Sequence, residues 1–180
     1  LAIHARYRGR SLRRAELVQR SAHALSTLDG VGEFEVLGVE DICAVIDPAA
    51  SVCDVVMALL ADGEWAIGIG ITPGSEVTEP AARGAATAAL KTSARAGQVY
   101  TKMSVRGRAE EATDIAAAFA LLGFVLQKRT LEGREATSLV RSGLKQAMSQ
   151  RLQAAGWAAE TAGWSLALHL LERANTVAVA

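Results

Sequence analysis

The sequence predicts an α+β fold, in which a ferredoxin-like (βαββαβ) domain at residues 1–107 precedes an all-α region at 108–180. Strand-like and helix-like segments alternate through the first hundred residues, and only helical periodicity follows. Apolar residues make up 51% of the 180-residue chain, which is enough to bury a core. Aromatic residues reach only 4%, so we expect helices that pack through small side chains.

The first half of the front domain contains a strand, a helix and a hairpin. A short strand is expected at 1–5, followed by a helix at 12–28 in which apolar residues recur at helical spacing. Two strands at 34–37 and 42–46 flank the turn GVED and form the hairpin.

The second half of the front domain is built around the apolar strand WAIGIGI at 65–71. Gly68 and Gly70 leave one face of this strand bare, so another element must pack closely against it. The helix before the strand is predicted at 48–60, with Asp47 as N-cap and Pro48 at its first position. The strand at 65–71 completes the βαββαβ layer, and a helix at 80–95 and a last strand at 99–105 are added to it.

Helical periodicity continues through the remaining residues. Glycines at 133, 143 and 156 separate four predicted helices, at 109–130, 134–141, 145–155 and 158–173.

Charge is distributed unevenly along a chain whose formal net charge is zero. Residues 1–90 carry 7 Lys and Arg against 12 Asp and Glu, and residues 91–180 carry 12 against 7. The basic excess is densest between 128 and 151, with six basic and two acidic residues. We therefore expect an anionic partner to bind the second half of the chain.

The predicted helix KQAMSQRL at 145–152 has the composition of a DNA recognition helix. Ala147, Met148 and Leu152 would face the core. The exposed positions offer hydrogen-bond donors for phosphates and base edges, and with a neighbouring arginine they are the candidate DNA-binding residues: Arg141, Lys145, Gln146, Ser149, Gln150 and Arg151. A polar helix face of this kind is also typical of a helix that is simply solvated.

Two longer runs resemble the bacterial SatD-like family, whose members are often labelled MarR-like regulators. KQAMSQRLQAAGW followed by AAETAGWSLALHLLERA resembles the family's C-terminal helix-turn-helix, and ICAVIDPAASVCDVVMALLADGEWAIGIGI resembles its N-terminal domain. The resemblance implies a double-stranded DNA partner and a homodimer, because one recognition helix covers one half-site. The sequence departs from the family where Ser142, Gly143 and Leu144 lead directly into Lys145, without the supporting first helix of the motif.

The same resemblance makes the front domain similar to the palm domain of nucleotide cyclases, in which acidic residues hold two divalent metals. The hairpin keeps Glu40 and Asp41, but the predicted first strand has no carboxylate. A metal-dependent nucleotide activity is therefore not expected, and neither is a metal or another cofactor.

A second basic cluster lies where the first strand leads into the first helix. Arg6, Arg8 and Arg10 are candidate residues for binding an anionic small-molecule effector near backbone amides. A solvated helix start is the competing interpretation. The alternative function for the whole chain is a nucleotide-binding or small-metabolite-binding module that does not bind DNA.

Cysteine content and hydropathy bear on the location of the protein. Cys43 and Cys53 lie in apolar surroundings, which predicts buried, reduced thiols. No run approaches the roughly 18 apolar residues that a membrane span needs. We therefore expect a cytoplasmic protein without a membrane partner.

Overall fold

A computed structural model describes residues 1–72, 74, 78–105, 108–123 and 157–176 of the chain. Its strands form one six-stranded mixed sheet in the order β2-β3-β1-β4-β5-β6. In chain order the elements are β1 (Ala2–Tyr7), α1 (Arg14–Leu25), β2 (Glu35–Leu37), β3 (Asp41–Val45), α2 (Ala49–Asp62), β4 (Trp65–Ile71), α3 (Glu79–Ala89), β5 (Val99–Val105), β6 (Arg108–Glu111), the helical residues 113–123 (α4) and α5 (Trp157–Thr176).

The combination of a mixed sheet with helices on its faces confirms the coarse α+β prediction. The finer ferredoxin-like prediction is not confirmed. The first four strands have the expected order β2-β3-β1-β4 and each is antiparallel to its neighbours, but the sheet continues past β4 with the parallel strand β5 and with β6. β1 is also antiparallel to β4, so it lies between two mutually parallel strands that α2 connects.

The main core lies on the sheet face that α1, α2, α4 and α5 cover. Alternating residues of β1 and β4 point into it, because successive side chains of a strand face opposite sides. Ile3, Ile67 and Ile69 are fully buried there, and the rings of Tyr7 and Trp65 meet edge to face with centroids 5.4 Å apart. Each such aliphatic side chain contributes about 1.5–3 kcal/mol to folding.

The opposite sheet face carries α3, and the bare face predicted for β4 lies beneath it. An added Cβ at Gly68 would come within 2.7 Å of the Ala86 carbonyl oxygen, and one at Gly70 would meet the backbone of Ala82 and Ala86. The helix therefore packs backbone to backbone on the strand, which confirms the expectation drawn from the two glycines.

Several predicted boundaries move in the structure. The first helix spans Arg14–Leu25 and not 12–28, and α3 ends at Ala89. Pro48, and not Asp47, is the N-cap of α2, which begins at Ala49 and ends at Asp62, with Gly63 as its C-cap in the left-handed conformation (φ 80°).

A strand stands where the sequence predicted the start of a long helix. β6 pairs antiparallel with β5, from Lys102 opposite Glu111 to Val105 opposite Arg108. The prediction of a helix from 109 was wrong at its start because the open edge of β5 offers these residues backbone hydrogen bonds, and such tertiary pairing overrides local helix propensity.

The described residues after 107 share the core of the front layer, by which we mean the elements from β1 to β5 in chain order. Phe119 and Leu122 of α4, and Ala167 and Leu171 of α5, are fully buried in the same apolar cluster as the sheet. α5 packs against α2 and β4. The described residues on the two sides of position 107 thus form one core, and the predicted helices at 134–141 and 145–155 lie outside the described residues.

Candidate functional site

A cluster of charged residues joins the β2–β3 hairpin to β1 and the start of α1. We call it the hairpin ion cluster: His4, Arg6, Arg8, Arg14, Glu40, Asp41 and Thr87. It forms because Arg6 of β1 lies directly opposite Asp41 of β3 in the antiparallel register. Both residues that the sequence singled out as metal candidates, and two of the three arginines that it singled out for an anion, belong to this cluster.

Arg6 and Asp41 make a two-pronged ion pair. Nε of Arg6 donates to Oδ1 of Asp41 at 2.7 Å, and Nη2 donates to Oδ2 at 2.8 Å. About four fifths of each side chain is buried, so water screens the pair only partly. The pair raises the pKa of Arg6. Burial alone would raise the pKa of Asp41, but the hydrogen bonds and positive charge of Arg6, together with the nearby His4, lower it, so Asp41 stays a carboxylate.

Two further arginines lie against the carboxylate of Glu40. Nη1 of Arg14 bonds one carboxylate oxygen of Glu40, and Nη1 of Arg8 lies 3.8 Å from the other. Arg8 also donates to the backbone oxygens of Ala94 and Thr92, at 3.0 and 2.8 Å. The guanidinium of Arg8 therefore ties the end of β1 both to the hairpin and to the loop that follows α3.

His4 is the buried member of the cluster, with 4% of its surface exposed. Its Nδ1 lies 2.9 Å from Oγ1 of Thr87, and that hydroxyl donates to the Arg83 carbonyl, so Nδ1 is the donor to Thr87. Nε2 lies 3.4 Å from Oδ2 of Asp41 and makes no hydrogen bond. Burial lowers the pKa of His4, although the negative charge of Asp41 acts in the opposite direction. The neutral imidazole links α3 to β1.

The ion pairs of the cluster oppose both a metal site at Glu40 and Asp41 and an anion site at Arg6 and Arg8, the two sites that the sequence suggested here. Within the described ranges, no group of three or more His, Cys, Asp and Glu could hold a metal ion. Glu40 and Asp41 already face three guanidinium groups, whose charge opposes a divalent cation. An anion at Arg6 and Arg8 would have to displace those carboxylates, and Arg10 lies exposed beyond β1. Binding of an anion at these three arginines stays a prediction.

The sequence analysis missed the hydrogen bond and the ion pairs of Arg83, which connect α3 to the hairpin. Nη1 of Arg83 donates to the Cys43 carbonyl oxygen at 3.0 Å and lies 3.4 Å from Glu35, while Nη2 lies 2.8 Å from Glu79. The spacing of Glu79 and Arg83, one helical turn apart, could have indicated the last pair. Nothing local in the sequence indicates the contact with Cys43.

Both cysteines are buried and free, as the sequence predicted. Burial raises the pKa of the Cys43 thiol, and it raises that of Cys53 to about 12. Neither thiol is therefore an activated nucleophile.

Among the residues that the structure describes, two concave surfaces lie outside the cluster. A cavity of about 140 Å³ lies beside β5 at the end of its pairing with β6, and is lined by Ala89, Lys91, Tyr100, Thr101, Lys102, Thr113 and Ala116. The ammonium of Lys91 lies 5.7 Å from the centroid of the Tyr100 ring. A shallower groove of about 460 Å³ separates α1 from β2 and is lined mostly by polar side chains.

All six candidate DNA-binding residues, Arg141, Lys145, Gln146, Ser149, Gln150 and Arg151, lie outside the described residues. The described helices α4 and α5 precede and follow the segment 124–156 that contains them. In the helices that the structure describes, we find none whose length and apolar content would let it cross a bilayer. No family model, no curated protein and no solved structure matches the chain.

Proposed function

We propose that the protein is a DNA-binding transcriptional regulator that uses a helix-turn-helix in its C-terminal half. Double-stranded DNA is its partner, and the front layer is a non-catalytic scaffold that resembles a cyclase palm. The proposal extends to a homodimer acting in the cytoplasm, because two recognition helices are needed to cover two half-sites about 34 Å apart.

The observation that carries this proposal is the separation of charge. The segment 124–156 contains six basic and two acidic residues, and the remaining chain contains 13 basic and 17 acidic ones. In the described front layer, Arg6, Arg8, Arg14 and Arg83 all pair with carboxylates. A phosphate backbone attracts clustered cations, so the excess of basic residues in 124–156 favours this segment over the front layer as the DNA-binding part of the chain.

The residues of the segment divide into two roles. Arg141, Lys145 and Arg151 bind backbone phosphates, which fixes register and gives affinity. Gln146, Ser149 and Gln150 read base edges in the major groove, where amide and hydroxyl groups find both donors and acceptors.

Fluorescence anisotropy of the full chain with a labelled duplex tests the proposal. We expect binding that weakens steeply between low and moderate salt, and a loss of binding when Gln146, Gln150 and Arg151 are replaced together by Ala. A matched control replaces Arg10 and Arg13, exposed residues of the front layer, by Ala and leaves binding unchanged. Absence of binding at low salt contradicts the proposal.

A small-molecule binding module is the second candidate, and the cavity beside β5 favours it. Lys91, Lys102 and Tyr100 would offer positive charge and a ring face to a small anionic metabolite or a nucleotide. The expected result for this function is a rise in melting temperature with a nucleoside monophosphate that Lys102→Ala abolishes, together with no DNA binding.

A further inference from the structure

The cavity beside β5 lies between elements that hydrogen bonds hold in place. It is lined from the end of α3, from β5 and from the first turn of α4. Thr101 of β5 is buried and makes two hydrogen bonds with Ala112, the residue before α4. The Thr101 hydroxyl donates to the Ala112 carbonyl oxygen, and the Ala112 N–H donates to the Thr101 carbonyl oxygen at 3.1 Å. The start of α4 is therefore fixed against β5.

The first turn of α4 borders the cavity with its positive end. The first hydrogen bond within the helix runs from the Ala116 N–H to the Ala112 carbonyl oxygen, at 3.3 Å. Ala112 is thus the N-cap, so the backbone N–H groups of residues 113–115 have no acceptor within the helix, and an alanine has no side-chain oxygen to offer them. Thr113 and Ala116 of this turn both line the cavity. Such a helix end attracts negative charge.

Two lysines line the same cavity, and none of its lining residues in the described part of the chain is acidic. Tyr100 and Lys102 are two positions apart on β5, so their side chains lie on the same face of the sheet. The ammonium of Lys91 lies 5.7 Å from the centroid of the Tyr100 ring, a distance at which the ring attracts a cation. The positive charges of both lysines therefore stand beside the positive end of α4, which favours a negatively charged ligand.

The size of the cavity limits that ligand to a small group. Its volume of about 140 Å³ corresponds to about four or five water molecules at roughly 30 Å³ each. Pockets that enclose drug-sized ligands measure about 300–1,000 Å³. A phosphate group fills the smaller space, and the base and ribose of a nucleotide would lie outside it.

We propose that this cavity binds a phosphate group, either the free ion or the end of a phosphomonoester. Lys91, Lys102 and the backbone N–H groups of the first turn of α4 are its donors. The inference rests on the second candidate function, which it deepens by naming the chemical group that is bound.

Isothermal titration calorimetry of the full chain with inorganic phosphate, at constant ionic strength, tests the proposal. We expect saturable binding that is at least about tenfold weaker in Lys102→Gln, because a hydrogen bond to a charged group contributes that much. Lys102→Arg keeps the charge and should bind more tightly than Lys102→Gln. Arg95→Gln is the matched control: it removes one exposed positive charge from the loop after α3, outside the cavity, and should bind phosphate as the wild type does.

A variant that strengthens binding separates the proposal from loss of folding. Glu111 lies opposite Lys102 in the antiparallel register of β5 and β6. Glu111→Gln removes a negative charge at that position, so it should bind phosphate more tightly than the wild type does. A misfolded variant would bind more weakly.

A nucleoside and its monophosphate distinguish the two sources of the phosphate group. The nucleoside should not displace phosphate. A monophosphate that displaces phosphate and binds more tightly identifies a phosphomonoester, and one that binds no more tightly identifies the free ion. The proposal is overturned if the wild type binds neither phosphate nor the monophosphate, or if Lys102→Gln binds them as the wild type does. A monophosphate that phosphate does not displace, and that Lys102→Gln binds unchanged, would overturn this proposal and leave the second candidate function standing.

Discussion

Asp41 joins three parts of the molecule through contacts of a single carboxylate. It pairs with Arg6 on the neighbouring strand and faces Nε2 of His4, and His4 in turn reaches Thr87 on α3. In the sequence, Glu40 and Asp41 look like the remains of a metal site and the arginines look like an anion site. The register of β1 against β3 places the arginines beside the two carboxylates, so the arginines and the carboxylates form ion pairs with each other.

Removing the charge of Asp41 should destabilise the fold. Asp41→Asn leaves the Arg6 guanidinium mostly buried without its counter-charge, and we expect the free energy of unfolding to fall by about 1–3 kcal/mol. Chemical denaturation measures the change. Glu16→Gln, which removes an exposed pair with Arg13 at 4.0 Å, is the matched control and should change stability by less than about 0.5 kcal/mol. Equal effects of the two variants would contradict a structural role for the Arg6–Asp41 pair.

His4 should make the protein sensitive to mild acid. Its pKa is lower in the folded state than in the unfolded chain, because burial disfavours the charged ring. Its contribution to stability is therefore complete above about pH 6.5, the unfolded pKa, and is lost as the pH falls through the folded pKa. Thermal melts between pH 7 and 5 should show this decline, and His4→Gln should flatten it. A His4→Gln profile that falls as steeply as that of the wild type would exclude His4 as its source.

At the scale of the elements, the sequence predicted the close packing on β4 well. The spacing of Gly68 and Gly70 in a run of isoleucines indicated a close neighbour, because two glycines on one face of a buried strand let another backbone approach closely. It could not indicate which helix packs there. The glycines lie on the same sheet face as His4 and Arg6, and α3 therefore covers both the bare strand and the buried histidine.

A methyl group at Gly70 should dislodge α3. The added Cβ of Gly70→Ala meets the backbone of Ala82 and Ala86, which cannot rotate away as a side chain can, so we expect a loss of about 1–3 kcal/mol. Gly84→Ala, on the open side of the same helix, should be neutral or stabilise by up to about 1 kcal/mol. A stability of Gly70→Ala within 0.5 kcal/mol of the wild type, a margin typical of surface substitutions, would contradict the packing described for α3.

β6 and the strand registers show where sequence patterns stop being informative. The residues of β6 suit a helix locally, and only the unpaired edge of β5 makes them a strand. The order of elements along the chain fits a ferredoxin-like layer, yet register and direction depend on which strands meet in space. Local propensity contains no information about either feature.

Considered as a whole, the described molecule has one core to which the front layer and the C-terminal helix α5 both contribute. Sequence periodicity found α5 nearly complete, but its apolar stripe could not show that the partner is α2 and β4. The change from mixed elements to helices near residue 107 suggested a domain boundary, which stays a prediction, and the described residues on its two sides contribute to one apolar cluster. The candidate DNA-binding residues lie between two helices of that core and outside the described ranges.

Truncation of a buried residue of α5 should destabilise the entire core. Leu171→Ala removes a fully buried side chain, so we expect a loss of about 2–5 kcal/mol within a single cooperative transition. The fluorescence of Trp65 in β4 follows the transition in a Trp157→Phe, Trp164→Phe background, because both other tryptophans lie on α5. Leu166→Ala, which truncates a half-exposed leucine of the same helix, is the control and should cost much less. An unchanged Trp65 transition in Leu171→Ala would mean that α5 does not belong to the core.

The most direct test of the central claim is the salt dependence of duplex binding in two charge-matched variants, Arg151→Gln in the basic segment and Arg10→Gln in the front layer. The proposed function predicts that Arg151→Gln binds more weakly and that its slope of log Kd against log salt falls by about 0.9, the value for one phosphate contact. Arg10→Gln should behave as the wild type does. If Arg10→Gln weakens binding and Arg151→Gln does not, the DNA-binding surface lies in the front layer and the central claim is wrong.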